Sequence, residues 1–233
     1  LASTALMTVT LAAVAGVKEV VVCTPCDSSG TVDPHILFAL KIAGATEIYR
    51  VGGVQAIGLM AFGAENMNKV QKIVGPGNAY VTAAKRQVYG YVALDLVAGP
   101  SEIAVLADKD ASAAHIAADL LSQAEHGTGR EKALLVTDSR ALANQVKREI
   151  GLQRDLLARK KAIDSVIRNG MLLVVARNLA DGMELCNRFA PEHFEIMTRS
   201  PSRWLKKVRC AGAVFLGKWT PEAVGDFLAG PSH

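Results

Sequence analysis

Short, β-branched apolar runs alternate with longer segments of helical spacing along most of the chain, and this alternation limits the fold more than any other feature. The runs are KEVVVC (18–23), TEIYRV (46–51), KIVG (72–75), EIAVLA (102–107), ALLVTD (133–138), MLLVVA (171–176), HFEIMT (193–198) and AVFL (213–216). Each is apolar through most of its length, as strands buried on both faces are. Helix signals lie between them. Asp33-Pro34 reads as an N-cap followed by proline at the first helical position, with Gly44 as the stop. Ala111–Ala124 sets Ile116, Leu120 and Leu121 at helical spacing, and Ser139–Lys160, the longest and most charged segment, reads as one surface helix. Joining such strands needs crossovers, so parallel α/β layers with right-handed connections are expected.

Half of the 233 residues are hydrophobic, which excludes a disordered chain. The formal charge of +4 is spread along the sequence without basic–aromatic interleaving, so no nucleic-acid partner is expected. The opening LASTALMTVTLAAVAGV has no charge before Lys18 and therefore lacks the basic start of a secretory signal. It is also interrupted by Ser and Thr and falls short of the roughly 20 apolar residues a membrane span needs. A buried helix is expected there, and no membrane association. Because the sequence opens on Leu1 and stops at GPSH directly after a turn signal, a fragment is expected. The loop LVAGPSE (96–102) is the natural boundary between two domains, 1–100 and 101–233.

Four cysteines are too few for a disulfide scaffold, which points to a reducing compartment, the cytoplasm. Cys23 and Cys26 form a CxxC at the end of a strand, the spacing of a thioredoxin-like redox pair. The residues that follow, Asp27-Ser28-Ser29-Gly30, continue as loop rather than helix, and no second CxxC joins Cys186 and Cys210 in a zinc site. A structural role is the favoured reading.

Ligands of open α/β sheets sit at the carboxyl ends of strands, so the loops after strands carry the chemical expectations. VGGVQAIG (51–58) and VGPGNAY (74–80) both lead from strand to helix, where glycines admit close approach and a helix N-terminus favours an anion. No GxGxxG fingerprint occurs in the chain, and both loops could equally be turn chemistry. In SQAEHG (122–127), Gln123 and His126 share one helical face and could hold a divalent metal, or could simply end the helix. In NRFAPEHFE (187–195), Glu192 and His193 enter a strand as a carboxylate beside an imidazole, a natural acid/base pair or a salt-bridged strand edge. Asp226 and His233, in GDFLAGPSH (225–233), flank a Gly-Pro turn, and Asp226 is a plausible third oxygen ligand.

Taken together, GGVQAIG, IVGPGNAYV, AGPSEI, DLLSQAEH, APEHFE and TPEAVGDFLAGPSH resemble histidinol dehydrogenase, in that family's order and over almost the whole chain. The resemblance implies two incomplete Rossmann-like, doubly wound domains with mostly parallel sheets, an NAD-side domain (1–100) and a zinc-side domain (101–233). It implies four-electron oxidation of L-histidinol to L-histidine through bound histidinal, with NAD and Zn2+, by a homodimer with a shared active site. Matched by motif, Gln55 and Asn78 would contact NAD, and Gln123, His126 and Asp226 would ligate zinc. Glu192 and His193 would be catalytic, while Ser101, Gln123, His126, His193, Asp226 and His233 would contact the small-molecule substrate. Ser232 stands where the family usually has Asn. The family's fourth zinc ligand, a histidine from the dimer partner, and an N-terminal aromatic NAD contact lie outside the sequence. Two other readings compete: a sibling zinc/NAD dehydrogenase for another small alcohol, such as a sulfonated diol, and an inactive fragment serving as a binding module.

Overall fold

A computed structural model describes residues 2–97, 99–126 and 128–227, the side chains of Asp226 and Phe227 excepted; His233 lies outside the described residues. The fold is α/β with parallel sheets, and the chain divides into two compact units that meet in sequence at Gly99–Pro100.

The first unit contains α1 (Ala2–Val14), β1 (Val21–Cys23), α2 (Pro34–Ala43), β2 (Glu47–Tyr49), α3 (Gly53–Phe62), β3 (Lys72–Ile73), α4 (Ala79–Val88) and β4 (Ala93–Leu94). Here β1 pairs with β2 and β3 with β4, each pair parallel. These strands are shorter than the apolar runs that announced them, and β4 was not announced at all. α2 begins as its sequence requires, with the Asp33 carboxylate accepting from His35 N–H and Gly44 ending it in the left-handed region. The helix expected to be buried at the start of the chain forms, but only Ala5 and Val9 are buried while Leu11 and Val14 are exposed. Its buried pair lies one turn apart and meets Ala39, Leu40 and Ala43 of α2, so a sequence apolar on all sides contributes one stripe to this core.

The second unit contains β5 (Glu102–Ala107), α5 (Ala113–Ala124), β6 (Lys132–Thr137), α6 (Arg140–Arg154), α7 (Lys160–Asn169), β7 (Met171–Val175), α8 (Leu179–Phe189), β8 (His193–Met197), α9 (Pro201–Leu205), β9 (Ala213–Leu216) and α10 (Glu222–Phe227). The five strands form one parallel sheet in the order β7-β6-β5-β8-β9, so the chain reverses direction across the sheet between β5 and β8. Helices cover both faces. Ile103, Val105, Leu135 and Met197 pack against α5, α6 and α7, while Ala104, Leu106, Val136, Phe194 and Ile196 pack against α8 and α9. The single helix expected over Ser139–Lys160 is two helices, broken at 155–159 without Gly or Pro. Both apolar stripes, Leu142/Val146/Ile150 and Ile163/Val166, fill the same sheet face, which one straight helix could not do. Arg154 fastens the break by ion pairs to Asp155 and Asp164.

Candidate active site

Alternation along β8 decides which side chains can meet α5. His193, Glu195 and Met197 project to one face and Phe194 and Ile196 to the other. Ile103 pairs with His193 and Val105 with Glu195, so both polar residues stand in the middle of an apolar sheet. On α5, Asp119 and Gln123 lie one turn apart on the buried side. The result is a polar seam between strand and helix, with Asp119, Gln123, His193 and Glu195 all buried.

His193 is held by its Nδ1, which lies 3.3 Å from Gln123 Oε1 and 3.6 Å from Glu222 Oε1 on α10. Glu222 is 3% exposed, accepts from Ser122 Oγ at 3.1 Å, and donates its backbone N–H to Glu195 Oε1 at 2.8 Å. With both neighbouring oxygens as acceptors, the proton of the neutral imidazole belongs on Nδ1, and Nε2 keeps its lone pair. The carboxylate that faces His193 is therefore Glu222, not its sequence neighbour Glu192, which is exposed. The backbone around Glu192 is tight: Ala213 N–H donates to Glu192 O at 2.8 Å, and a Cβ on Gly212 would lie 2.7 Å from that oxygen.

Half-buried Ser101, Glu192 and His193 sit at the amino ends of β5 and β8, while Glu195 is the middle residue of β8. The residues expected in this unit thus lie toward the amino edge of its sheet, whereas Gln55 and Asn78 of the first unit follow β2 and β3 at their carboxyl ends. The carboxyl edge of this sheet instead has a shallow cleft lined by Asp108, Lys109, Asp110, Asp138, Ser139 and Arg199, where Arg199 pairs with Asp110 at 2.9 Å. SQAEH and APEH each precede a strand or end a helix, and a helix that follows a parallel strand brings its C-terminus back to the amino edge.

Burial pushes the Asp119 carboxyl up to about 6, against a hydrogen bond with Glu195 and a nearby His115 that pull it down. Burial, and then the charge of Asp119, push Glu195 well above the usual carboxylate range. Both shifts are upward from unfolded values near 4, so the folded protein binds these protons more tightly than the unfolded chain. The Asp119 contribution is full below about pH 4 and fades as pH rises through about 6, and the Glu195 contribution persists until pH is well above the usual carboxylate range. Denaturant midpoints are accordingly expected to fall across the Asp119 window, and Asp119→Asn to flatten the fall in unfolding curves taken at several pH values.

Gln123 and His126 do not share a helical face as expected, because α5 ends at Ala124; Gln123 is fully buried and His126 exposed. Arg159 Nη1 holds the end of the helix by donating to Glu125 O at 3.1 Å. His126 Nδ1 lies 3.3 Å from Ser122 O, which leaves Nε2 as the free nitrogen, the state a metal-binding imidazole needs. Gln123 Nε2 has no partner among the described residues, and its oxygen retains a second lone pair beyond the one turned to His193. The lone pairs left on Gln123 Oε1 and His126 Nε2 are of the kind zinc takes, so these two residues fit a zinc ion, whereas the Gln123 NH2, itself a hydrogen-bond donor, needs an acceptor rather than a cation. Among the described residues no three His, Cys, Asp or Glu side chains gather as a metal cluster. Asp226 is placed on α10 one turn after Glu222, with its side chain outside the description.

In the first unit, Gln55 is exposed in the first turn of α3, whose start has no side-chain cap. Gly52 packs closely there, since an added Cβ would lie 3.0 Å from Pro25 Cβ in the CTPC loop. All four cysteines are free, Cys23 half-buried and Cys26 exposed. Asn78 caps α4, its Oδ1 accepting from Tyr80 N at 3.0 Å and Val81 N at 3.1 Å, so only its NH2 remains to reach a ligand. Behind that loop, buried Lys85 donates to Gly75 O at 2.6 Å and Asp95 at 2.8 Å. Burial alone would raise the Asp95 carboxyl, but hydrogen bonds from Lys85 and the Gly75 and Leu96 N–H groups hold it below the usual range.

Asp119, Glu195 and Glu222 were missed in the sequence. The signals were a Glu inside an apolar strand and acidic residues one turn before Gln123 and Asp226.

A family model described as histidinol dehydrogenase matches residues 1–233. The chain belongs to the histidinol dehydrogenase family. Curated relatives bearing that name include one from Heliobacterium mobile, 48% identical over 231 residues, covering 99% of this chain and 54% of the relative. Another, from Bacillus thuringiensis, is 49% identical over 232 residues and is itself covered to 53%. The crystal structure of histidinol dehydrogenase from Elizabethkingia anophelis superposes with a TM-score of 0.93 at 39% identity, over 100% of this chain and 53% of that one. The chain thus spans about half the length of the curated histidinol dehydrogenases it matches.

Proposed function

We propose that the chain contributes the catalytic residues and most of the zinc ligands of an enzyme that oxidises L-histidinol to L-histidine through bound histidinal, in the last steps of histidine biosynthesis. The observation that carries this reading is the setting of His193: buried, with Nδ1 facing two oxygens and Nε2 left as a base. Gln123, His126 and Asp226 would hold zinc, which would supply a Lewis-acid anchor for the substrate's nitrogens, and NAD would supply the hydride acceptor for each oxidation. His193 takes the hydroxyl proton through Nε2. Glu192, exposed beside the same strand end, draws a proton from water as it adds to the aldehyde. Gln55 and Asn78 contact NAD from the starts of α3 and α4, while Ser101 and His233 contact substrate. Keeping the aldehyde bound avoids release of a reactive intermediate.

The first unit would serve NAD and the second zinc. Family likeness extends the proposal to a cytoplasmic homodimer in which a partner histidine completes the zinc shell. Among the described residues no helix is long and apolar enough to cross a membrane. The test is NAD reduction, followed optically, by the full natural polypeptide with histidinol or a sulfonated diol. Turnover of histidinol is expected, and turnover of the diol alone would overturn the assignment.

A further inference from the structure

Three carboxyl groups meet in the seam behind His193: Asp119 from α5, Glu195 from β8 and Glu222 from α10, at 7%, 1% and 3% exposure. Among the described residues no Lys or Arg forms an ion pair with any of them. Among the described residues the other titratable groups facing them are His193 and, one turn before Asp119 on α5, His115; the strands flanking Glu195 set Val105 and Phe215 beside it. Three negative charges cannot be kept in such a space. Glu195 Oε1 accepts the Glu222 N–H, whereas its buried Oε2 finds no donor. A proton on Oε2, given to Asp119, satisfies both groups in one bond.

We propose that Glu195 and Asp119 form a buried acid pair sharing one proton, and that the pair seats the first turn of α10 and thereby sets Glu222 against His193. Both are positioning residues: neither touches substrate, and each acts through the Glu222 backbone. The inference rests on the histidinol reading only for the role of His193; the pair itself is independent of substrate.

Glu195→Gln and Glu195→Leu in the full natural polypeptide test it. Gln can donate to Asp119 and accept from Glu222 N–H without a proton; Leu can do neither. Infrared spectra at neutral pH should show a protonated carboxyl band in the wild type that Glu195→Gln removes. Glu195→Leu should lose about 10–100-fold in kcat with KM little changed, as loss of a supporting hydrogen bond does. Its thermal midpoint should hold, since an apolar residue replaces a buried polar one. Glu195→Gln should restore most of that turnover. Absence of the band, wild-type kcat in Glu195→Leu, or equal impairment of the two variants would overturn the proposal. If Glu195→Leu does not fold, the band and Glu195→Gln turnover decide it. Failure of the histidinol reading shows separately, as a wild type that reduces no NAD with histidinol while the band persists.

Discussion

Replacing His193 with asparagine is expected to slow both oxidation steps by about 10²–10⁴-fold, the usual worth of a positioned acid/base group. The amide can still donate toward Gln123 and Glu222, so the seam keeps a hydrogen-bonded occupant of similar polarity. What it lacks is a nitrogen basic enough to take the hydroxyl proton. In the wild type that nitrogen is Nε2, freed because Nδ1 faces oxygens 3.3 and 3.6 Å away. Single-turnover measurements starting from the alcohol and from the aldehyde separate the steps. A variant that oxidises either substrate at the wild-type rate would remove His193 from the mechanism.

The second large effect concerns Glu192. Glu192→Gln is expected to spare alcohol oxidation and to depress aldehyde oxidation by about 10²-fold or more, because only the second step needs a base for water. The structure supports this division of labour: Glu192 is exposed at the strand end, whereas His193 is buried and faces Glu222. Two adjacent residues thus occupy different environments, one open to water and one shielded from it. Pre-steady-state traces with each substrate provide the check, and equal loss in both steps would sink the assignment.

Much of the fold was legible because local chemistry fixed it. Runs such as EIAVLA and ALLVTD became β5 and β6 nearly to the residue, and Asp33-Pro34 with Gly44 bounded α2 as their capping chemistry requires. The break between α6 and α7 was not legible, since nothing in residues 155–159 forbids a helix; the sheet face that both helices must cover imposes it. The two-residue strands β3 and β4 carry too little pattern to stand out from their surroundings.

For the site, motif spacing marked Gln123, His126, Glu192 and His193, and the structure places them at one edge of one sheet. Spacing suggested that Gln123 and His126 work from one helical face and that Glu192 partners His193. Instead, the end of α5 separates the first two, and α10 brings Glu222 to the imidazole from 29 residues further along the chain. Glu195 has no partner within reach along its own strand; the neighbour it meets is Asp119 of α5.

The sequence by itself determined where most strands and helices of the second unit form, because periodicity and caps act within a few residues, and it determined the family through motifs in a fixed order. Tertiary structure alone decided which edge of the sheet gathers the candidate residues, which nitrogen of His193 is free and which three carboxyl groups are buried behind it. Those outcomes depend on burial and on contacts between residues up to about a hundred positions apart, such as Ser122 with Glu222, and no local pattern encodes them.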